Sequence, residues 1–364
     1  MHFVFRADAS LAMGIGHVMR CLALANGLRA QGQQVSFMCQ NRPGNLIEAI
    51  ERQGFFVFVI SPIVQSTIEP VDELVHAHWL GMPQHADAAI CAEYLRTVQP
   101  DWVIVDHYAL DYRWQVLLQP YYKRLMVIDD LADRRHSGQL LLDQTYGRVL
   151  EDYRGLVPAD CRLLLTAEYA LLRPEFVQWR DKSRQRRHFP VLQKMLITLG
   201  GVDKDNITGQ VLAALRACVL PEQLTIDVVL GETAPHLAAV RQMAASMQNR
   251  TDVKVNVDNM AELMAMSDIA IGAAGATTWE RCCLGVPTAT LVLAENQQVL
   301  AQHLATENII WLLSFVNLQA ELRGFFANLK RADMAERSHK AMCLVDGMGV
   351  DKVVRVLMQQ RERC

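Results

Sequence analysis

The chain has 364 residues, is 51% hydrophobic and 21% charged, and carries a formal net charge of −3. That length suits two domains with cores of their own, and the charge excludes a strong electrostatic hold on nucleic acid or an anionic membrane. No apolar stretch reaches the ~18 residues of a membrane span, the run Met1–Phe5 meets Arg6 too soon for a signal peptide, and the nine cysteines, odd in number and without a CxxC, favour a reducing cytoplasm over a disulfide framework or a zinc site.

The first half alternates short apolar runs with longer amphipathic stretches. Phe3–Phe5 predicts a first strand, followed by a glycine-bearing loop and a helix from about His17 to Gln31. Strands are also expected at Val35–Cys39, Trp102–Asp106, Leu125–Asp130 and Leu140–Asp143. The continuous apolar character of the later runs is that of strands buried on both faces, so the pattern predicts a parallel sheet covered by helices. Several strands end in Asp (Asp106, Asp129, Asp130, Asp143), at the carboxyl rim where such sheets bind ligands. The plainer reading of each is a helix cap or a turn residue. Residues 61–90 hold no motif with an assignable role.

Arg180–Pro190 is a basic run without apolar periodicity, taken as an inter-domain boundary and solvated linker or helix end. A second α/β pattern then restarts: strands at Met195–Leu199, Ile226–Leu230, Val253–Val257, Asp268–Ile271 and Pro287–Leu293, a helix at Met260–Met266 and a terminal helix at Val350–Gln359. The expected organisation is an N-terminal Rossmann-like domain over 1–180, a linker over 181–190, a C-terminal Rossmann-like domain over 191–345 and a terminal helix within 346–364 that packs back on the first domain. The fold class is therefore α/β, with two parallel sheets facing a central cleft.

Three constellations carry chemistry. The first is Arg6-x-Asp8 at the end of strand one, followed by Gly14-Ile15-Gly16-His17-Val18-Met19-Arg20. Gly14 and Gly16 permit positive φ and close ligand approach. The helix start beyond them offers free N–H groups to an anion such as a diphosphate. Met19 replaces the third glycine of a dinucleotide fingerprint, so GxG by itself is weak. His17 sits where the helix dipole opposes a positive charge, so a neutral imidazole suited to general-base work is expected; a loop histidine bonded to backbone is the alternative. The second is Asp106-His107-Tyr108, three polar groups directly after a buried strand, where Asp106 would orient His107 or accept a sugar hydroxyl, or where all three serve as cap and packing. The third comprises Gly200-Gly201-Val202-Asp203 and Gly275-Ala276-Thr277-Thr278-Trp279-Glu280, each between a strand and a helix, with Glu295-Asn296-Gln297 after the next strand. Small residues and hydroxyls at such turns cradle phosphate oxygens. Glu280 would accept a ribose diol or, alternatively, complete a capping box with Thr277.

Arg6-x-Asp8 with GxGHxxR, DHY at 106–108, GGxD at 200–203 and GATTWE at 275–280 resemble the UDP-2,4-diacetamido-2,4,6-trideoxy-β-L-altropyranose hydrolases of bacterial pseudaminic acid biosynthesis. The resemblance runs from residue 6 to about 300 and touches Gly347-x-Gly349. The later glycine motifs are shared more widely, and are also similar to those of the lipid II-forming N-acetylglucosaminyltransferase. The resemblance implies a GT-B-like architecture with UDP held mainly by the second domain, His17 as the catalytic base, and inverting cleavage of the anomeric C–O bond by water. Arg6, Asp8, Gly14, Gly16, Asp106, His107 and Tyr108 are then expected around the sugar and diphosphate. Gly200, Gly201, Asp203, Gly275, Ala276, Thr277, Thr278, Glu280, Glu295, Asn296 and Gln297 are expected around UDP. Neither metal nor cofactor is expected; the partners are a UDP-sugar and water, and a monomer is plausible. The competing functions are a GT-B glycosyltransferase and a non-catalytic nucleotide-sugar binding protein.

Overall fold

The computed structural model describes residues 1–61, 74–188 and 191–359. Part of the 61–90 stretch, the last two residues of the 180–190 run and residues 360–364 lie outside the described residues. Two compact units form, Met1–Leu171 with Gly349–Cys364, and Leu172–Met348.

In the first unit the elements run β1 (His2–Ala7), α1 (Gly16–Ala30), β2 (Gln34–Gln40), α2 (Ile47–Arg52), β3 (Phe56–Ile60), α3 (Gln84–Val98), β4 (Trp102–Asp106), α4 (Tyr112–Leu118), β5 (Arg124–Ile128), β6 (Leu140–Asp143) and β7 (Arg162–Leu165). The strands form one sheet of order β3-β2-β1-β4-β5-β6-β7, parallel throughout. Strand alternation feeds two cores: Phe3, Phe5 and Phe37 face one side, and Val4, Met38 and Val103 the other. Every residue of β4 is buried, as its continuous apolar run requires.

The second unit begins with α5 (Pro174–Arg187) and continues through β8 (Lys194–Thr198), α6 (Ile207–Leu215), β9 (Thr225–Leu230), α7 (Leu237–Ala245), β10 (Thr251–Val255), α8 (Met260–Ala265), β11 (Ile269–Ala273), α9 (Thr277–Cys283), β12 (Thr288–Leu291), α10 (Gln298–Thr306), β13 (Trp311–Leu313), α11 (Leu318–Asn328) and α12 (Arg331–Leu344). Its sheet has the order β10-β9-β8-β11-β12-β13 and is again parallel. The basic run is not a solvated linker: its residues through Arg187 are the last turns of α5. Arg180 donates to the carbonyls of Val345 and Met342 at 2.7 Å, Arg186 pairs with Asp268 at 2.7 Å, and Arg187 is buried with its guanidinium on the Ser267 carbonyl. The missing apolar period reflects a helix held by arginine-to-carbonyl bonds in place of an apolar stripe.

The last helix, α13 (Gly349–Gln359), belongs to the first unit. Its Val353, Val354, Val356 and Leu357 enter the same core as Leu24 and Leu28 of α1. Each such burial contributes on the order of 1.5–3 kcal/mol.

Both sheets reverse their winding once, between β1 and β4 and between β8 and β11. At such a switch point the two adjacent loops leave in opposite directions and open a crevice at the carboxyl ends of the strands. The GxGH loop and Asp106 flank the first switch, and the Gly200 and Gly275 turns flank the second.

Candidate functional site

In the first unit, β1 ends at Ala7, which is level with Asp106 at the end of β4. The chain then turns through a Ser10–Gly14 bridge, with Gly14 at φ +75°. Gly14 alone of the two motif glycines uses the left-handed region; Gly16 opens α1 with an ordinary helical backbone, which corrects the expectation for it. No side chain caps α1 and its first turn holds no acid, so the amides of Gly16, His17 and Val18 have no intrahelical acceptor.

His17 lies in that first turn, nearly buried. Its Nδ1 is 2.6 Å from Asp106 Oδ1. A carboxylate accepts there, so Nδ1 carries a hydrogen, and the neutral form of the ring has its lone pair on Nε2. Asp106 does not orient His107. Its second partner is Arg20, one helical turn after His17, whose Nε and Nη2 donate to Oδ2 and Oδ1 at 2.6 and 2.8 Å. Burial pushes the Asp106 carboxyl up, but Arg20 and His17 outweigh it and hold the group well below the usual range. Arg20 Nη1 also reaches Asp130 Oδ2 at 2.6 Å, and the Tyr108 hydroxyl donates to the same oxygen at 2.6 Å. The Tyr108 ring meets the imidazole edge-on at 4.6 Å, and Trp79 stacks on Tyr108 at 5.6 Å. Two strand-end aspartates, one arginine and an aromatic wall thus fix one imidazole.

Arg6, Asp8 and His107 lie elsewhere. All three are fully buried or nearly so, which corrects their placement against a ligand. Arg6 pairs with Asp8 at 2.7 Å and with Asp87 of α3 at 2.7 Å. Asp8 accepts the Gln40 amide at 2.7 Å, and His107 Nε2 is 3.3 Å from its other oxygen. Burial raises the Asp8 carboxyl, yet Arg6 and His107 more than offset this and keep it ionised. The network ties the ends of β1, β2 and β4 together beneath the GxGH loop. Asp129 and Asp143 take the turn role weighed for them, accepting the amides of Ala132 at 2.9 Å and Thr145 at 2.8 Å. They also share the Tyr153 hydroxyl, at 3.0 and 2.8 Å.

The residues to which sequence reasoning gave no role are Arg20 and Trp79; Asp130, read as one of the strand-end aspartates at the rim, is the one that joins Arg20 and Tyr108. Arg20 carried a readable signal, since it stands three positions after His17 on the same helical face and closes the GxGHxxR motif. Trp79 follows a stretch without a pattern and carried none.

In the second unit, Gly200 stands at φ +110°, and the Gly201 carbonyl accepts the Gly231 amide at 2.7 Å. Asp203 accepts the amides of Ile207 and Thr208 at 2.8 and 2.9 Å. It therefore caps the start of α6, which accounts for both its oxygens. At the other turn, Gln297 Nε2 lies 3.8 Å from where a Gly275 side chain would begin, so Gln297 is brought to the Gly275 turn; Glu295 and Asn296 remain exposed on a short 3₁₀ turn. Thr277 does not cap α9. The Glu280 carboxylate, 18% exposed, lies 3.8 Å from Arg173. Burial pushes its pKa up to about 7 against the pull of Arg173 and Arg281. Among the described residues, no group of three or more His, Cys, Asp or Glu is arranged to hold a metal ion, and no helix is long and apolar enough to cross a membrane.

Residues 199–346 match the glycosyltransferase family 28 C-terminal domain. The chain is 26% identical, over 84% of its length and 96% of the relative's, to the UDP-2,4-diacetamido-2,4,6-trideoxy-beta-L-altropyranose hydrolase of Campylobacter jejuni. Among solved structures it is similar to MurG of Acinetobacter baumannii, with a TM-score of 0.69 at 17% identity over 98% of this chain and 99% of that one. It is also similar to the calicheamicin glycosyltransferase CalG4, with a TM-score of 0.66 at 13% identity over 100% and 98%. The chain therefore has a GT-B fold of two Rossmann-like units, and at the level of the family it resembles the UDP-diacetamido-trideoxy-altropyranose hydrolases.

Proposed function

We propose that this enzyme hydrolyses a UDP-linked diacetamido-trideoxy sugar at the anomeric C–O bond, with inversion, in the cytoplasm. The products are UDP and free 2,4-diacetamido-2,4,6-trideoxy-L-altrose, as in pseudaminic acid biosynthesis. The observation that carries this reading is the His17–Asp106 hydrogen bond: Asp106 accepts from Nδ1 at 2.6 Å, which in the neutral imidazole leaves Nε2 as the base. Nε2 removes a proton from water, the water oxygen bonds to the anomeric carbon from the face opposite UDP, and the C–O electron pair leaves on the diphosphate. Asp106, ionised and itself paired with Arg20, meets the positive charge that forms on the imidazole. Because UDP leaves readily as an anion, the paired carboxylates of ordinary glycoside hydrolysis are not needed.

The turns at Gly200–Gly201 and Gly275–Thr278 are the groups proposed to hold the diphosphate, with Glu280 on the ribose diol. Gly14 and the free amides of α1 are proposed to face the sugar-diphosphate, with Tyr108 beside it. Arg6, Asp8 and His107 support this loop from beneath. The similarity to the Campylobacter jejuni hydrolase across most of both chains supports this reading.

His17→Ala tests it. UDP release from the altrose-configured nucleotide-sugar should fall about 10²–10⁴-fold, the range of a lost general base. Near-normal turnover would remove His17 from the role.

The family 28 C-terminal domain favours a second reading, in which an acceptor hydroxyl replaces water. Incubation with the nucleotide-sugar and no acceptor separates the two, because only a hydrolase completes many turnovers.

A further inference from the structure

Arg281 of α9 is 1% exposed, and a cation so buried normally keeps a carboxylate beside it. Here the guanidinium hydrogen-bonds only to neutral oxygens, and the neighbouring Glu280 acts on it through space without a hydrogen bond: Nη1 donates to Thr277 Oγ1 at 2.8 Å, and Nη2 donates to the Ala273 carbonyl at 2.6 Å and to Thr278 Oγ1 at 3.2 Å. Its Nε has no hydrogen-bond partner among the described residues. Space for the group is made by Gly272, where a Cβ would stand 2.7 Å from Nη1 and 2.8 Å from Cζ. Two residues nine positions apart are thus matched, a bare strand position and a charge folded back beneath it.

The polarity of the two threonines follows. Thr278 Oγ1 donates to the Ala273 carbonyl at 3.3 Å, so its hydrogen is used. Thr277 Oγ1 accepts from Arg281, and among the described residues its own hydrogen has no acceptor. A hydroxyl that accepts from a cation is a stronger donor, because the charge draws density from its oxygen.

We propose that Arg281 is a positioning residue that fixes Thr277 as a hydrogen-bond donor to a phosphate oxygen of the bound nucleotide, whose negative charge adds to a guanidinium that no carboxylate hydrogen-bonds in the protein itself. This deepens the reading of the Gly275–Thr278 turn as part of the UDP site and rests on it. It gives the R of GATTWER a purpose that is electrostatic and specific to the phosphate end of the ligand.

Calorimetric titration of the full chain with UDP tests this, together with saturation-transfer NMR with uridine and thermal melting. Arg281→Met, which keeps the length and removes the charge, should bind UDP about 10-fold or more weakly, bind uridine as the wild type does, and melt no lower than the wild type. Thr277→Val should weaken UDP binding several-fold and Thr277→Ser should restore it. Arg281→Met added to Thr277→Val should cost less than it does alone. Unchanged UDP affinity in folded Arg281→Met overturns the inference, as does an equal loss for uridine, which would mark a merely structural role. If Arg281→Met does not fold, the threonine pair decides: Thr277→Val with wild-type affinity overturns it. A wild-type protein that binds no UDP overturns the reading of the turn itself, and the inference with it.

Discussion

The two units share one topology but build their carboxyl rims from different materials. In the first unit the switch point is crowded with titratable and charged side chains, each held by another: His17 by Asp106, Asp106 by Arg20, and Arg20 by Asp130. In the second it is lined by glycine turns and hydroxyls over one buried arginine. The contrast matches two tasks. A group that moves a proton must have its hydrogen, orientation and charge set in advance by other side chains, whereas a diphosphate can be held by backbone amides and small donors that need close approach more than charge.

The sharpest way to break this comparison is to separate turnover from grip. His17→Ala should remove about 10²–10⁴-fold of kcat while UDP affinity, read by calorimetry, stays within about two-fold of the wild type. If UDP affinity falls along with kcat, the division of labour is wrong. Asp106→Asn attacks the same unit through its supports. It leaves Arg20 with one carboxylate in place of two, and leaves a single neutral acceptor oxygen for which His17 Nδ1 and the Arg20 guanidinium compete, so kcat should fall by about 10²-fold or more. Loss of a buried pair of this kind costs on the order of 3–5 kcal/mol, to be read from denaturant unfolding; a variant as stable and as active as the wild type would show that the pairing is idle.

The charge-rich unit should also be the one that feels acid. Burial lowers the pKa of His136 to about 4, whereas an unfolded histidine titrates near 6.5. Its contribution to stability is complete above about pH 6.5 and is lost as pH falls to about 4. Burial and Asp130 raise Asp143 to about 6, so its proton is bound more tightly in the folded state and stability is gained as pH falls from about 6 towards about 4. Each effect is up to about 3 kcal/mol at ~1.4 kcal/mol per pKa unit, and they oppose one another. Wild-type melting should therefore change little between pH 6.5 and 4.5, while His136→Gln should melt higher at pH 4.5 than at pH 6.5. A variant that follows the wild-type profile removes His136 from the balance.

The smallest expected effect lies in the second unit. With its pKa pushed up to about 7, Glu280 is largely protonated at pH 6 and ionised at pH 8, and only the carboxylate accepts both hydroxyls of a ribose diol. UDP affinity should rise by less than about ten-fold over that interval, the span of one coupled titration, and Glu280→Gln should flatten the rise. A slope that persists in Glu280→Gln assigns it to another group.

Most of the fold was legible. The strand β4 reads identically in sequence and structure, Trp102–Asp106, because a strand buried on both faces cannot carry polar residues before its end. The strands not anticipated, β3, β7 and β13, all sit at sheet edges, where one neighbour is missing and the pattern weakens. The basic run was read as a linker or a helix end, and it is the end of α5; its burial escaped because its arginines reach carbonyls of distant segments, which periodicity cannot register. Within the site, the position of His17 at a helix start was readable from GxGH, while its partner was not: Asp106 was weighed as orienting His107, accepting a sugar hydroxyl or capping a helix, yet lies 2.6 Å from a residue 89 positions away.

Residue order alone determined the α/β alternation, the glycine turns after the strands and the placement of an imidazole at the head of α1, because those depend on local backbone sterics and on which runs can be buried. Only the tertiary structure decided which carboxylates met which cations. Register between β1 and β4 brought Asp106 beneath α1, sent Asp8 and Arg6 into a closed network, and folded Arg281 under a glycine. The physical reason is that a buried charge must find hydrogen-bonding partners, for most of these groups a counter-charge and for Arg281 neutral oxygens, and the sheet order, not the spacing along the chain, sets most of those neighbours.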